Sequence, residues 1–202
     1  GVGPRGTYCF RRLGIYLKKH PLKYPVNIHL IEKSGKFGGG GIHSVTQPDY
    51  LLLNTIGSQI TAFGDDDQEA RSSAARKTLY GYLSDKGLSI GPNDYPSRAQ
   101  HGRYLADMVN WTEKKLPPSV TVHRHTATAI DIEPGPITKQ HVVLENFGSI
   151  PADEVLLLTG HAKNRIPPGS GPEAWTTFTE AQQKKGRRIS TGLPSTVSSL
   201  VL

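Results

Sequence analysis

The chain opens with Gly1-Val2-Gly3-Pro4-Arg5-Gly6, and no other feature constrains its fold as tightly. The spacing G-x-G-x-x-G makes a tight strand-to-helix turn, clears a side chain from the approach of an anion, and lets helix and strand pack closely. A helix N-terminus then offers unpaired N–H groups and the positive end of its dipole, which suits a dinucleotide pyrophosphate. Pro4 fits a first helical turn, where a missing N–H costs nothing. Such a turn ordinarily follows a β-strand, and nothing precedes Gly1, so the reading at this point is a fragment or a gene model lacking its start.

The next segments complete an α–β pair. Cys9, Phe10, Leu13, Tyr16 and Leu17 recur at helical spacing, and Lys18, Lys19 and His20 sit where cations complement the end of a helix. The run Val26-Asn27-Ile28-His29-Leu30-Ile31-Glu32 alternates as a short buried strand. Glu32 ends it, and an acid there can take both hydroxyls of an adenosine ribose. The competing reading is an exposed strand-end carboxylate. An acid rather than a base at this position favours FAD or NAD over NADP.

Residues 33–64 show little regular pattern and include four consecutive glycines at 38–41 and the apolar patch Leu51-Leu52-Leu53, read as core. A helix is expected over 68–86, with Asp65 to Asp67 as its cap and Leu79, Tyr82 and Leu83 on one face, and a second over 101–115. From Val120 the pattern turns to β, with strands at 120–123, 127–132 and 140–146 and a Pro134-Gly135-Pro136 turn. The apolar run at 155–158 reads as a strand covered on both faces, followed by Thr159-Gly160-His161. A helix is possible only at 174–185 beyond that point, and the Ser/Thr/Leu-rich end has no clear period. The expected fold class is α/β: a Rossmann-like domain over 1–161 with a small β-meander and its first strand missing, then an irregular tail over 162–202. Loss of a central first strand should expose unpaired backbone on its neighbours and leave the isolated chain unstable or free of cofactor.

Composition narrows the classes. The formal net charge is +7, which suits an anionic partner, but the one dense basic run, Lys184-Lys185-Gly186-Arg187-Arg188, has no interleaved aromatics for stacking on nucleic acid. No nucleic-acid partner is therefore expected. No run approaches the roughly 18–20 apolar residues of a membrane span, and the cytoplasm is the default compartment. The single cysteine, Cys9, excludes an internal disulfide and is read as a buried thiol. His123 and His125 share one side of a strand, which permits a metal pair, but no third ligand is placed and no metal is assigned.

At this point the chain resembles the FAD/NAD(P)-binding flavoproteins of glutathione-reductase type, and within them the group related to N-hydroxylating and flavin-containing monooxygenases. The resemblance rests on the opening glycines, Glu32, the block Gln47 to Thr55, the blocks Tyr95 to Arg98 and Gly102 to Leu105, and Leu157-Leu158-Thr159-Gly160-His161. It implies that the turn formed by Gly1, Gly3, Pro4, Arg5 and Gly6 holds the FAD pyrophosphate. It also implies that Glu32 holds the ribose, that Gly39 and Gly40 lie near the pyrophosphate or flavin, and that Asn54 and Thr55 approach the isoalloxazine. Val122 would contact adenine through its strand, and Thr159 and Gly160 would bring backbone close to the cofactor. Two readings stand for the 38–41 run, cofactor contact or flexible loop, and two for Arg98 and Arg103, surface helix-capping charges or a cofactor or structural ion-pair role. No catalytic residue stands out, as expected where a cofactor carries the chemistry. The implied function is the FAD-binding portion of an NAD(P)H-dependent flavoprotein oxidoreductase of monooxygenase type; the alternative is a non-catalytic dinucleotide-binding fragment.

Overall fold

A computed structural model describes residues 1–64, 78–136, 139–160 and 199–202. The expected helix cap at 65–67, residues 68–77 of the helix expected over 68–86, His161, the basic run at 184–188 and the helix at 174–185 lie outside the described residues. Helix α1 spans Pro4–Lys19, with Gly3 as its N-cap and no acidic residue in its first turn. Strand β1, Val26–Ile31, follows, and its alternating burial points Val26, Ile28 and Leu30 toward α1. A single turn of 3₁₀ helix at Gly57–Gln59 interrupts the long irregular segment. Helices α2, Leu79–Asp85, and α3, Arg98–Lys114, come next.

Helix α3 begins three residues before its expected start because Ser97 and Gln100 form a capping box. The Ser97 hydroxyl accepts from the Gln100 N–H and the Gln100 side chain accepts from the Ser97 N–H. Two orphan donors are thereby satisfied at once. The strands are β2, Val120–His125; β3, Ala129–Pro134; β4, Gln140–Leu144; β5, Gly148–Ala152; β6, Glu154–Val155; and β7, Ser199–Val201. They form a parallel sheet of order β2-β1-β7-β6 and an antiparallel meander of order β3-β4-β5. The mixed helix-and-strand architecture agrees with the expected α/β class.

The structure departs from the sequence reading at four places. The neighbours of the expected missing strand are not left unpaired: β7 lies between β1 and β6 and bonds both, so the last residues are a strand and not an irregular tail. The run at 155–158 is in the sheet only at its start. Its partner β7 is three residues long, so the ladder stops after the Leu156 N–H donates to Val201 O, and Leu157 is 69% exposed. Finally, Leu52 is exposed although its neighbours are half-buried, and Cys9 is half-buried, with its thiol pushed up by desolvation.

The parallel sheet has a core on each face. Toward the helices, Ile28, Leu30 and Leu202 pack with Val2, Phe10, Leu17 and Val109. Toward the meander, Ile31 and Val201 pack with Ala127, Val142, Leu144, Ile150 and Ala152. Helices α1 and α3 approach closely at Gly14, where a Cβ would lie 3.0 Å from Thr112 Cγ2 and 3.4 Å from Leu116. Beside that contact the buried Arg11 guanidinium lies 4.0 Å from the Trp111 ring centre and 5.2 Å from that of Phe63. A planar cation this close to aromatic rings gains quadrupole attraction.

Ile28 is fully buried at the centre of the helix-side core. Ile28→Ala is expected to lower unfolding stability by about 2–5 kcal/mol, read by chemical denaturation. The same change at the exposed Ile130 should stay within about 0.5 kcal/mol.

Candidate functional site

The turn at residues 1–6 is built by contact rather than by propensity. Gly6 packs directly on the Gly1 carbonyl, so any side chain there would overlap backbone. The Thr7 N–H and hydroxyl both bond Gly3 O, at 2.9 and 3.1 Å, which starts the helix. A Cβ on Gly3, in contrast, would meet nothing within 4 Å. Gly3 is therefore not required by packing within the chain, and the space beside it lies at the start of α1.

Glu32 ties the turn to the sheet. Its carboxylate is buried, with Oε2 accepting from the Val2 N–H at 3.0 Å and Oε1 from the Ser34 N–H and hydroxyl at 3.2 and 2.8 Å. The exposed strand-end reading of Glu32 is thus excluded. A carboxylate has about four acceptor positions, and three are used within the chain.

The glycine run folds back onto the same turn. The Gly38 N–H donates to Val2 O at 2.7 Å, and Gly38 has φ +107 with a Cβ position 2.5 Å from the Ala106 N. Both facts demand glycine there. Gly40 then passes Gly3 so closely that a Cβ on it would lie 3.3 Å from Gly3 Cα and 3.8 Å from Glu32 Oε2. The structure therefore brings together Gly1, Gly3, Pro4, Arg5, Gly6, Glu32, Gly39 and Gly40. Pro4 and Arg5 lie in the first helical turn, with Arg5 exposed. A cradle of backbone lined by glycines, at an uncapped helix start without acidic residues, fits a phosphate group.

The remaining expected residues are more dispersed. Asn54 is exposed and Thr55 half-buried, with Thr55 Oγ1 3.5 Å from Asn54 Oδ1. Val122 pairs with Ile28 in the end strand β2. Thr159 and Gly160 are exposed beyond β6, while Leu158 O is 3.1 Å from the Cβ position of Gly1. That last contact draws the 156–160 segment to the glycine turn. Arg98 and Arg103 are exposed.

Two histidines beside the cradle escaped sequence reasoning. The His43 carbonyl is wedged against Gly39 and Gly102, each of which has no room for a side chain. The His43 and His101 rings meet edge to face at 4.6 Å. His43 Nδ1, both ring nitrogens of His101 and Gln47 Oε1 are buried with no hydrogen-bond partner among the described residues. Burial, and then the His43 ring, hold His101 down to about 4; burial and then Arg98 lower His43. Only the four consecutive glycines marked this loop in the sequence, because the contact with α3 is long-range.

A second histidine group lies on the meander-side face of the sheet. His29 stacks on His123 and His125 with ring centres 4.7 and 5.2 Å apart. His29 Nδ1 and His125 Nε2 are 3.0 Å apart, and His123 Nε2 donates to Asn27 Oδ1 at 2.9 Å. Burial first, then the two neighbouring rings, hold His29 down to about 4. Among the described residues, no group of three or more His, Cys, Asp or Glu is placed to hold a metal ion, nor is any helix long and apolar enough to cross a membrane.

Comparison with known proteins follows the same lines. A family model described as FAD-NAD(P)-binding matches residues 1–162. A nitrosuccinic acid synthase of Aspergillus oryzae is 30% identical over 165 residues, covering 80% of this chain and 25% of that protein. L-aspartate N-monooxygenases (nitrosuccinate-forming) of Streptomyces cremeus and Streptomyces davaonensis are each 30% identical. They cover 86% and 82% of this chain, and 30% and 29% of their own lengths. The chain thus spans between a quarter and a third of these curated relatives.

The lowered histidines set a pH dependence. Both His29 and His101 are neutral in the fold and charge in the unfolded chain below about 6.5, so the unfolded state binds more protons in that range. Stability is present in full above pH ~6.5 and is lost as pH falls toward 4. For the well-buried His101 the loss is about 2–3 kcal/mol. Denaturation midpoints measured from pH 7.5 to 4 should fall accordingly, and His101→Phe should flatten the curve; an unchanged slope would reject this origin.

Proposed function

We propose that this chain, which belongs to the FAD-NAD(P)-binding family, forms the FAD-binding portion of an NAD(P)H-dependent flavoprotein monooxygenase. The observation that carries the reading is the facing pair Gly3 and Gly40. Gly3 has open space where a side chain would stand, and Gly40 closes the other side of the cradle. The sheet with its helix-side glycine turn is read as a Rossmann-type arrangement, with pyrophosphate at the start of α1.

In this reading the first-turn N–H groups of α1 bind the pyrophosphate, and the Arg5 cation adds to the field around it. Glu32 orients the turn through Val2 and offers its remaining acceptor position to the adenosine ribose. Gly39 and Gly40 let backbone pass close to the phosphates, Val122 borders the adenine, and Thr159 and Gly160 flank the return of the chain toward the turn. Asn54 and Thr55 present an amide and a hydroxyl to the isoalloxazine. FAD, when bound, carries electrons from NAD(P)H to O2. The named activity of the relatives supports an amino-acid amine, and specifically L-aspartate, as the group oxygenated in the whole protein.

The test separates binding from folding. Gly3→Ser places a favourable N-cap into space that is free in the chain, so the unfolding midpoint should be kept while FAD affinity falls roughly tenfold or more. Flavin fluorescence quenching on titration reads the affinity. Equal affinity of the two chains, or no flavin binding by the unaltered one, would remove the proposed phosphate site.

A further inference from the structure

The glycine run is held from two directions. Toward α3, consecutive helix residues meet one loop residue twice. The His43 carbonyl lies where a side chain on Gly102 or on Gly39 would stand, and the His101 ring meets the His43 ring edge to face at 4.6 Å. Toward the turn, the Gly38 N–H donates to Val2 O at 2.7 Å, and a Cβ on Gly40 would lie 3.3 Å from Gly3 Cα. Between these attachments Gly41 and Ile42 are exposed. The contact that seats His43 on α3 therefore also seats Gly40 beside Gly3.

That seat is made against a cost. His101 is 7% exposed, and neither of its ring nitrogens has a hydrogen-bond partner among the described residues. His43 Nδ1 and Gln47 Oε1 are in the same condition. A buried polar atom without a partner gives up its hydrogen bonds to water for nothing, so ring packing closes the seat while the nitrogens favour opening it. The nearby charges do not favour a cation on the pair. Arg98 faces His43 from the first turn of α3, and His101 stands at the positive end of that helix. Lys36 is bonded to Ser44, next to His43 in the chain, and Asp49 is taken up by the Ser97 hydroxyl at the helix cap. The Tyr104 ring, 6.3 Å from that of His101, keeps its hydroxyl neutral through burial.

We infer that His43 and His101 are positioning residues of the dinucleotide site, which hold the glycine run closed over the turn by seating ring against ring. A proton on either imidazole needs hydration that the closed seat denies it, so protonation favours the open run. The open run takes up protons below the ordinary histidine value of 6.5, and the closed run does so at His101 only near 4. Closure is therefore complete above pH ~6.5 and weakens as pH falls toward 4. A ligand in the cradle and a proton on the pair oppose one another, each weakening the other by the same factor. The closure stands on these contacts alone; its bearing on FAD rests on the function proposed above.

Amide hydrogen exchange of the full chain tests it at Gly38 and His43, whose N–H groups donate to Val2 O and Gly39 O. The Ile31 amide, bonded to Leu202 O within the sheet, is the reference. From pH 7.5 to 5.5, opening at Gly38 and His43, corrected for intrinsic exchange, should rise about tenfold, with both amides exchanging ahead of Ile31. His101→Phe keeps a ring at the contact and removes both orphan nitrogens, so it should lose most of that rise. Saturating FAD should slow both amides at pH 5.5. No rise with acid, an equal rise in His101→Phe, or loop amides that exchange only together with Ile31 would overturn the inference. FAD that binds without slowing them would overturn it as well. Exchange that follows His101 while neither chain binds FAD would uphold the closure and remove the proposed cofactor instead.

Discussion

The bond from the Val2 N–H to the buried Glu32 carboxylate is the joint on which the rest of the molecule turns. It fastens the loop that starts α1 to the end of β1, two elements separated in the chain by the whole length of the helix. A charged acceptor taken from water needs donors around it, and Val2 and Ser34 supply them. Because Val2 is held there, its carbonyl is presented to Gly38, and the glycine run closes over the turn. One carboxylate therefore sets the relative positions of sheet, helix and loop.

The same joint explains why the structure needs glycine where it does. Gly6 and Gly38 are pressed against backbone, so their lack of a side chain is a condition of folding. Gly3 is under no such pressure. A motif that looks uniform in sequence thus contains positions that serve the fold and one, Gly3, that packing within the chain leaves open. That difference gives the site reading more weight than the motif alone.

The parts legible in the sequence were those fixed by neighbours in the chain. Phe10 and Leu17 announce α1 by their spacing, Val26, Ile28 and Leu30 announce β1 by alternation, and the glycine turn with Glu32 is readable because its spacing is its geometry. What stayed hidden depends on distant partners. Ser199–Val201 is too short to show a period, and only β1 and β6, far away in sequence, make it a strand. The strand Gly148–Ala152 contains Pro151 and gains its place from pairing with β4. The His43–His101 contact joins a loop to a helix through two glycines, and nothing local to either histidine signals it.

The contacts along α1 and α3 rise together: Gly38, bonded to Val2, packs at Leu105 and Ala106, Arg11 on Trp111, and Gly14 on Thr112 and Leu116. The two helices therefore run side by side in the same sense, with the glycine run level with Leu105 and Ala106 of α3. At the turn itself the macrodipole of α1 is equivalent to roughly half a positive charge. The resulting potential belongs to the backbone. It cannot be titrated away, so the attraction for a phosphate would persist at pH values where every histidine nearby is neutral.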